Sequence, residues 1–465
     1  MKLGIDRLVE DGSLRGALEG RRIALLGHPA SVTRHCQHSL DALAACGGLR
    51  LTAAFGPQHG MRGDKQDNMI ESEDYTDPTL GIPVFSLYGR VRRPTAEMLE
   101  SFDVLLVDLQ DIGTRIYTFI TTLAYMLEAG AQAGKSVWVL DRPNPAGRPV
   151  EGTLLEPGWE SFVGVGPLIM RHGLTMGEFA RWYVALRKLE VDLRVVAMED
   201  YRPEAGPGYG WPAFELAWVN PSPNASSLNM ARCFPGTVLF EGTTLSEGRG
   251  TTNSLEIVGG PDVDFARVLR RARSFAPAWL AGCQVRLCHF EPTFQKHQGK
   301  LCSGVKLHTD FAGYDPHRFR PYRLGALLLM LWRGDAANRA ARPEWDEAHW
   351  AFWRAVERVV VGGGLLAGRL GEATVPAAGA FLAAAGCPIA VERSPYGNAI
   401  AIAGLARHAP AGAERMLLFD FGHTAVKCGL ATYRQGALAG LERRPSLPPP
   451  CEDGWPAHAG AAWAR

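Results

Sequence analysis

Polar and ionisable side chains follow directly after five apolar runs in the first 145 residues. In chain order these followers are His28-Pro29, Gly56-Pro57-Gln58-His59, Tyr88-Gly89, Asp108-Leu109-Gln110-Asp111 and Asp141-Arg142-Pro143-Asn144. Any one of them could be a turn or a helix cap. Five in succession predict a shared polar pocket.

The residue types in and around this pocket predict a polyhydroxylated ligand that is neutral or anionic. Carboxylates accept hydroxyl protons or serve as acid and base, and guanidinium groups hold a carboxylate through two parallel hydrogen bonds. The carboxylates are Asp108, Asp111, Asp141 and Glu151; the arginines are Arg62, Arg115, Arg142 and Arg171; and Tyr88 and Tyr117 are suited to stacking on a sugar ring. For each arginine considered alone, a structural ion pair with a neighbouring aspartate is an equally good interpretation.

A second group of charged residues lies in the segment FEGTTLSEGRGTT (240–252), among glycines and hydroxyl groups. Glu241, Glu247 and Arg249 are candidates for ligand contact. A tight, hydrogen-bonded turn is the alternative interpretation of this segment.

The elements that must position these residues are predicted to be buried parallel strands, because the runs are almost continuously apolar. The runs span 21–27, 49–56, 82–89, 102–110 and 136–143. The last two are separated by TFITTLAYMLEAGAQAG, which is long enough for a crossover helix, and a further helix begins at Thr175 with a capping box to Glu178. The alternation predicts an α/β fold with a Rossmann-like, doubly wound parallel sheet, whose ligand site lies beyond the carboxyl ends of the strands.

The pattern divides the chain into three parts. Residues 1–235 are predicted to form the Rossmann-like domain with the site, and 236–340 a smaller α+β auxiliary domain. Residues 341–465 are predicted to be a C-terminal extension, with a disordered tail over 446–465.

Composition and charge exclude several classes of protein. The 49 basic and 48 acidic residues give a net charge of +1, which argues against a nucleic-acid partner. No apolar stretch is long enough to span a membrane, and Asp6, Glu10 and Asp11 interrupt any signal-peptide core, so a cytoplasmic location is predicted. Nine cysteines without a C-x-x-C pair fit reduced thiols.

No cofactor and no metal are predicted. The first strand is not followed by G-x-G-x-x-G, and no G-x-x-x-x-G-K-[ST] occurs, so the usual glycines for binding a dinucleotide or nucleotide phosphate are missing. His35, Cys36 and His38 lie close together, but no second ligand group follows at a spacing typical of zinc sites.

Eight segments between about residues 20 and 330 together resemble one family. They are FGPQHGMRGD (55–64), YTDPTLGIPVFSLYG (75–89), DVLLVDLQDIGTRIYTFITTLAYMLEA (103–129), VLDRPNPAGRPVEG (139–152), SFVGVGPLIMRHGLTMGE (161–178), WVNPSPN (218–224), ARCFPGTVLFEGTTLSEGRGTT (231–252) and FEPTFQKHQGKLCSGVKLH (290–308). The family is that of the NamZ-type exo-β-N-acetylmuramidases, glycoside hydrolase family 171, long catalogued as a bacterial domain of unknown function.

The resemblance implies an active site in a Rossmann-like domain with a smaller auxiliary domain behind it. It also implies removal of β-1,4-linked N-acetylmuramic acid (MurNAc) from the non-reducing end of peptidoglycan fragments, as in cytoplasmic cell-wall recycling. The lactyl carboxylate of MurNAc would need an arginine, and Arg62, Arg115, Arg142 and Arg171 remain unranked. The other residues expected to bind the sugar are Asp108, Gln110, Tyr117, Asp141, Asn144, His172, Asn224, Glu241, Glu247 and Arg249.

One position departs from the family pattern. The first motif of the family usually reads P-E-H-G, and Gln58 stands where that glutamate would be the catalytic acid. An amide cannot exchange a proton as a carboxyl group does. His59 and the Gln58 position stay catalytic candidates, beside Asp111 and Glu151.

Three alternatives follow from Gln58. Another carboxylate (Asp111, Glu151 or Glu247) is the acid; or the 2-acetamido group of the substrate supplies the nucleophile; or the chain binds MurNAc-type sugars without cutting them. Hydrolysis is the leading hypothesis, and the non-catalytic binding protein is its alternative.

The C-terminal segment LLFDFGHTAVKCGLA (417–431) resembles the phosphate-binding hairpin of ROK and actin-like sugar kinases, with D-x-G-x-T at Asp420 to Thr424. A plain β-hairpin is the favoured alternative. Too little chain follows for a two-lobed kinase, so ATP binding is not expected.

Overall fold

The computed structural model describes residues 1–63, 71–155, 157–158, 160–212 and 215–333, together with the backbone of five strands between 358 and 447. The chain divides into two compact units, Met1–Leu329 and Met330–Arg465. All the candidate site residues belong to the first unit.

The first unit begins with the elements that build the large sheet. They are α1 (Gly4–Glu10), α2 (Gly12–Gly16), β1 (Arg22–Gly27), α3 (Ser39–Ala45), β2 (Arg50–Gly56), β3 (Tyr75–Thr76), β4 (Pro83–Ser86), α4 (Ala96–Glu100), β5 (Val104–Asp108), α5 (Phe119–Ala133), β6 (Ser136–Leu140), β7 (Glu151–Leu154), β8 (Ile169–Arg171), α6 (Met176–Arg187) and β9 (Asp192–Val196).

A smaller group of elements follows. It comprises α7 (Leu228–Thr237), a 3-10 helix (Val238–Gly242), β10 (Ile257–Gly260), α8 (Phe265–Phe275), a second 3-10 helix (Pro277–Leu280), β11 (Gln284–Phe290), β12 (Cys302–His308) and α9 (Pro321–Arg333).

The large sheet has the strand order β3-β4-β2-β1-β5-β6-β9. Six of its strands are parallel, and the short β3 pairs antiparallel with β4 at one edge. β5 and β6 are buried along their whole length because apolar side chains pack on both faces of the sheet. The predicted Rossmann-like α/β fold is confirmed.

The strand order reverses between β1 and β5. From β1 the chain builds outward through β2 to β4, whereas β5, β6 and β9 lie on the other side. In open parallel sheets the ligand crevice opens at such a switch point, outside the carboxyl ends of the strands. The residues that follow β1 and β5 therefore lie at the centre of the expected site.

The predicted elements begin at or within two residues of those observed, but several strands end earlier. The run at 82–89 is a strand only over Pro83–Ser86, and the run at 136–143 ends at Leu140. The crossover helix α5 ends at Ala133 and is capped by Gly134, which has a left-handed φ of 64°. The capping box between Thr175 and Glu178 is present at the start of α6.

The smaller sheet is antiparallel, in the order β10-β12-β11. Asn229 on α7 ties that helix to it, because its amide donates to the Leu307 carbonyl and accepts from the Thr309 N–H. The predicted domain boundary at 235/236 lies inside α7, and this division stays a prediction.

The second unit is described by its strands alone. β13 (Arg358–Val361) pairs in parallel with β14 (Ala390–Arg393), and β15 (Arg415–Phe421), β16 (Val426–Arg434) and β17 (Ala437–Leu447) form an antiparallel sheet. The β15–β16 pairing is that of a hairpin, whereas 422–425 and the tail from 448 lie outside the described residues. No helix of the described part is long and apolar enough to cross a membrane.

Candidate active site

His28 links the two strands at the switch point. It follows β1, and its Nε2 accepts a hydrogen bond from the Gln110 N–H at 2.8 Å. Its ring packs against Phe119, with centroids 4.6 Å apart. Burial, reinforced by the Arg142 charge, holds the pKa of His28 well below its usual range, so the ring is neutral. The polar residue after β1 was noted in the sequence, but this positioning role was not predicted.

Asp108 and Arg142 form a buried ion pair. Arg142 Nε and Nη2 donate to the two carboxylate oxygens of Asp108 at 2.5 and 3.1 Å, and Ser39 adds a hydrogen bond of 2.5 Å. Arg142 also donates to the Val32 carbonyl. Both side chains are fully buried, so this bidentate pair braces β5 against β6 and leaves neither charge free.

Asp141 and Asn144 hold the loops around the start of α6. Asp141 accepts hydrogen bonds from the Gly177 N–H and the Thr175 hydroxyl, both at 2.8 Å. Burial raises the pKa of Asp141 to about 6, against the opposing effect of these donors. Asn144 accepts from the Ala146 N–H at 2.9 Å and donates to the Leu174 carbonyl.

Glu151 lies at the N-terminus of α9. Its carboxylate accepts the N–H groups of Tyr322 at 3.2 Å and Arg323 at 2.8 Å, as a capping side chain does. Burial raises the pKa of Glu151. Its cross-strand partner Arg171 is buried and donates through Nε, Nη1 and Nη2 to the carbonyls of Ala146 and Phe319.

Arg62 is half-exposed and pairs with two carboxylates. Its Nη2 lies 3.0 Å from Asp41 and 3.4 Å from Asp77. These contacts hold the segment after β2 against α3.

The charged residues of the 240–252 segment do come together. Arg249 pairs with Glu241 and lies 3.3 Å from Glu247, which also accepts from Lys296 at 2.9 Å. Lys296 donates to three main-chain carbonyls as well, and the sequence contained no signal for it. Asn224 accepts from Ser254 at 3.0 Å.

Asp111, in the loop between β5 and α5, forms a buried pair with His172, which directly follows β8. Asp111 Oδ2 accepts the Gly113 N–H at 2.6 Å and faces His172 Nε2 at 3.2 Å. Since His172 Nδ1 accepts the Leu174 N–H at 3.1 Å, the ring proton is on Nε2 and is donated to Asp111. Asp111 Oδ1 is buried and has no partner among the described residues.

Other unpartnered polar atoms lie close to Asp111 in the sequence. Gln110 Oε1, Thr114 Oγ1 and Thr121 Oγ1 are buried without a hydrogen bond from the described residues. Buried polar groups are nearly always satisfied, so these atoms are candidates for hydrogen bonds to a polar ligand or to water. Burial raises the pKa of Tyr117, whose hydroxyl faces Ser222 and the charge of Asp111.

Gln58 is buried at the end of β2 beside the start of α5. Its Oε1 accepts a hydrogen bond from the Thr118 hydroxyl at 2.9 Å. His59, which follows it, has a φ of 72°, in the left-handed region that a non-glycine residue seldom adopts. The chain therefore turns sharply at the carboxyl edge and keeps both side chains buried there.

Family models match most of the chain. Residues 23–229 match the N-terminal and 232–361 the C-terminal part of "Exo-beta-N-acetylmuramidase NamZ". The chain belongs to the NamZ family. The N-terminal NamZ model contains every candidate residue from Gln58 to Asn224, and the C-terminal one contains Glu241, Glu247 and Arg249.

Individual members of the NamZ family are similar to this chain over most of their length. The peptidoglycan β-N-acetylmuramidase NamZ of Bacillus subtilis (strain 168) is 41% identical over 330 residues, which are 71% of this chain and 76% of that protein. Two solved DUF1343 family proteins of Bacteroides fragilis NCTC 9343 share the fold. One has 30% identity and a TM-score of 0.63 over 71% of this chain and 82% of its own. The other has 25% identity and a TM-score of 0.54 over 76% of this chain and 96% of its own.

Proposed function

We propose that this chain is an exo-β-N-acetylmuramidase, a glycosidase that releases β-1,4-linked MurNAc from the non-reducing end of peptidoglycan fragments. NamZ family membership and the 41% identity to a peptidoglycan β-N-acetylmuramidase support the activity. The observation that supports the assignment of the site is Asp111, a buried carboxylate with one oxygen held by His172 and Gly113 and the other without a partner in the part of the chain that the structure describes.

The surroundings of the other nominated carboxylates favour Asp111. Asp108 is neutralised by Arg142, and Asp141 binds the start of α6. Glu151 caps α9, and Glu247 lies between Arg249 and Lys296. Of these carboxylates, Asp111 is the one with an oxygen that accepts no hydrogen bond from the described residues.

One protein carboxyl group is enough if the substrate supplies the nucleophile. We infer that the oxygen of the MurNAc 2-acetamido group attacks the anomeric carbon while Asp111 protonates the leaving oxygen. Asp111 then takes a proton from the water that opens the cyclic intermediate and releases MurNAc. Gln58 exchanges no proton in this scheme, because its amide is a hydrogen-bonding group held by Thr118.

We further propose that the substrates are small muropeptide fragments and that the reaction belongs to cytoplasmic cell-wall recycling. The six cysteines in the described part of the chain are all unpaired, as is typical of proteins in a reducing compartment.

The test is release of free MurNAc from MurNAc-β-1,4-GlcNAc by the full chain. We expect the unmodified chain to release it and Asp111→Asn to lower kcat by about 10²- to 10⁴-fold, the usual contribution of an acid–base group. Glu151→Gln should keep kcat, because Glu151 contacts the N-terminus of α9. Circular dichroism of each variant is the check that it is folded.

Gln58→Glu separates catalysis from binding alone. Activity of the unmodified chain would establish that Gln58 is compatible with hydrolysis. A silent native chain beside an active Gln58→Glu variant would contradict the proposal and identify a sugar-binding protein. Loss of kcat in Glu151→Gln but not in Asp111→Asn would contradict the role of Asp111 and indicate that Glu151 is the catalytic acid.

A further inference from the structure

Arg115 is a buried guanidinium that has no carboxylate partner among the described residues. Its Nη1 donates to the carbonyls of Thr153 at 2.6 Å and Leu168 at 2.7 Å, and its exposed fraction is 4%. In the described part of the chain, its Nε and Nη2 donate to no acceptor. Two nitrogens of this buried cation therefore carry N–H groups that form no hydrogen bond with the described residues.

The other nominated arginines differ in this respect. Arg62, Arg142 and Arg249 each form ion pairs with carboxylates of the chain. Arg171 uses all three side-chain nitrogens on main-chain carbonyls. The structure therefore ranks the arginines that the sequence left equivalent.

Burying a charge without a counter-charge is costly, and burial lowers the pKa of Arg115. Two carbonyl oxygens offset part of that cost. An anion supplied by a ligand would offset the rest, and the free Nε and Nη2 have the fork geometry that receives a carboxylate through two hydrogen bonds.

The surroundings of Arg115 fit a lactyl group. Thr114, the preceding residue, and Thr153, whose carbonyl holds the guanidinium, both have buried hydroxyls that lack a partner among the described residues. The aliphatic stem of Arg115 and Leu155 meet over Gly164, where an added Cβ would lie 3.0 Å from Leu155 and 3.9 Å from Arg115 Cδ. Thr114 and Arg115 share the loop between β5 and α5 with Asp111, and β7 and the residues after it supply the Thr153 hydroxyl and the apolar Leu155.

We propose that Arg115 is the residue that determines specificity for MurNAc, by binding the lactyl carboxylate through Nε and Nη2. This inference rests on the proposed muramidase function, applies to fragments whose lactyl carboxyl group carries no peptide, and adds the group that tells MurNAc from a neutral amino sugar. Asp111 acts at the glycosidic bond, whereas Arg115 acts on the substituent that distinguishes the substrate.

The experiment combines two substrates with two proteins. The substrates are MurNAc-β-1,4-GlcNAc and the same disaccharide with its lactyl carboxylate converted to a primary amide, which is close to the carboxylate in size and shape and carries no charge. The unmodified chain should have a kcat/KM about 10- to 100-fold higher for the carboxylate, the range expected for a charge-assisted hydrogen-bonded pair. Arg115→Met should process both substrates alike. Arg115→Lys keeps the charge but lacks the two-pronged guanidinium. Its preference for the carboxylate substrate should therefore lie between that of the unmodified chain and that of Arg115→Met.

Arg22→Met is the matched control, because Arg22 pairs with Asp103 at the amino end of β1, on the opposite edge of the sheet. It should keep the full preference. Equal rates of the unmodified chain on both substrates would overturn the role of Arg115, as would a preference that survives in Arg115→Met. If Arg115→Met does not fold, an undiminished preference in Arg115→Lys would overturn it. Failure of the unmodified chain on both substrates would instead remove the muramidase assignment itself.

Discussion

Asp111 and Asp141 follow neighbouring parallel strands at the same sheet edge, and their neighbours give them different roles. One oxygen of Asp141 accepts a hydrogen bond from the Thr175 hydroxyl, and the other accepts hydrogen bonds from main-chain N–H groups. Asp111 Oδ1 has no partner among the described residues, while His172 and Gly113 hold Oδ2. The residue type is the same and both follow parallel strands, so hydrogen bonding is what distinguishes the structural carboxylate from the one proposed to be catalytic.

Asp141 should make folding stability depend on pH. Its pKa is about 6 in the folded chain against an ordinary value of 3.8, so the folded state holds more protons between these pH values. Stability therefore falls as pH rises through this window. Asp141→Asn removes the titrating proton, so the stability of the variant relative to the unmodified chain should rise by about 3 kcal/mol from pH 3.5 to pH 7. Urea unfolding of both proteins across this range measures it; a difference that does not change with pH would contradict the expectation.

The sequence located the sheet edge and the candidate residues, but it could not rank them. Arg171 bonds to the Phe319 carbonyl, Glu151 to the N–H of Arg323, and Arg142 to the Val32 carbonyl. Each of these partners is distant along the chain, and all three are main-chain groups that any residue type provides. Pairing that depends on the tertiary fold therefore leaves no local pattern in the sequence.

At the scale of elements, prediction succeeded where burial and capping are encoded locally. The parallel strands were identified because both faces are covered, and α6 because Thr175 and Glu178 cap it three residues apart. The packing of α7 against α9 was not predicted. It depends on Gly236 and Gly325 meeting, and glycine leaves no hydrophobic pattern.

Gly236→Ala should separate these two helices. A Cβ at this position would lie 1.9 Å from the Pro321 carbonyl oxygen, a backbone atom that cannot move without shifting α9. We expect a loss of about 1–3 kcal/mol in unfolding free energy, as for other overpacked contacts. Gly16→Ala is the control, because nothing lies within 4 Å of its added Cβ, and Ala should be neutral or slightly stabilising there. Urea denaturation measures both; equal stability of the two variants would show that the α7–α9 contact tolerates a methyl group.

At the scale of the whole molecule, the site and the family resemblance both end well before the chain does. All candidate residues lie in the unit Met1–Leu329, and the NamZ models end at residue 361. The three-stranded sheet β15–β17 is outside that match. The C-terminal segment is thus an addition to a unit that holds every group the proposed reaction uses.

A chain shortened to residues 1–361 keeps the whole NamZ match but separates β13 from its partner β14. It should keep its muramidase activity, with kcat and KM within about threefold of the full chain, because every candidate residue lies in the compact unit Met1–Leu329. Shortening to residues 1–320 should abolish activity, because it removes α9, which provides the N–H partners of Glu151 and the backbone against which Gly236 packs. MurNAc release and a thermal melt for each length measure the two effects. The buried carboxylate of Glu151 would lose its partners in the chain of residues 1–320. We therefore expect this chain to unfold at a lower temperature than the full chain and to lose activity for that reason. Loss of activity in a folded 1–361 chain would mean instead that residues beyond 361 complete the site.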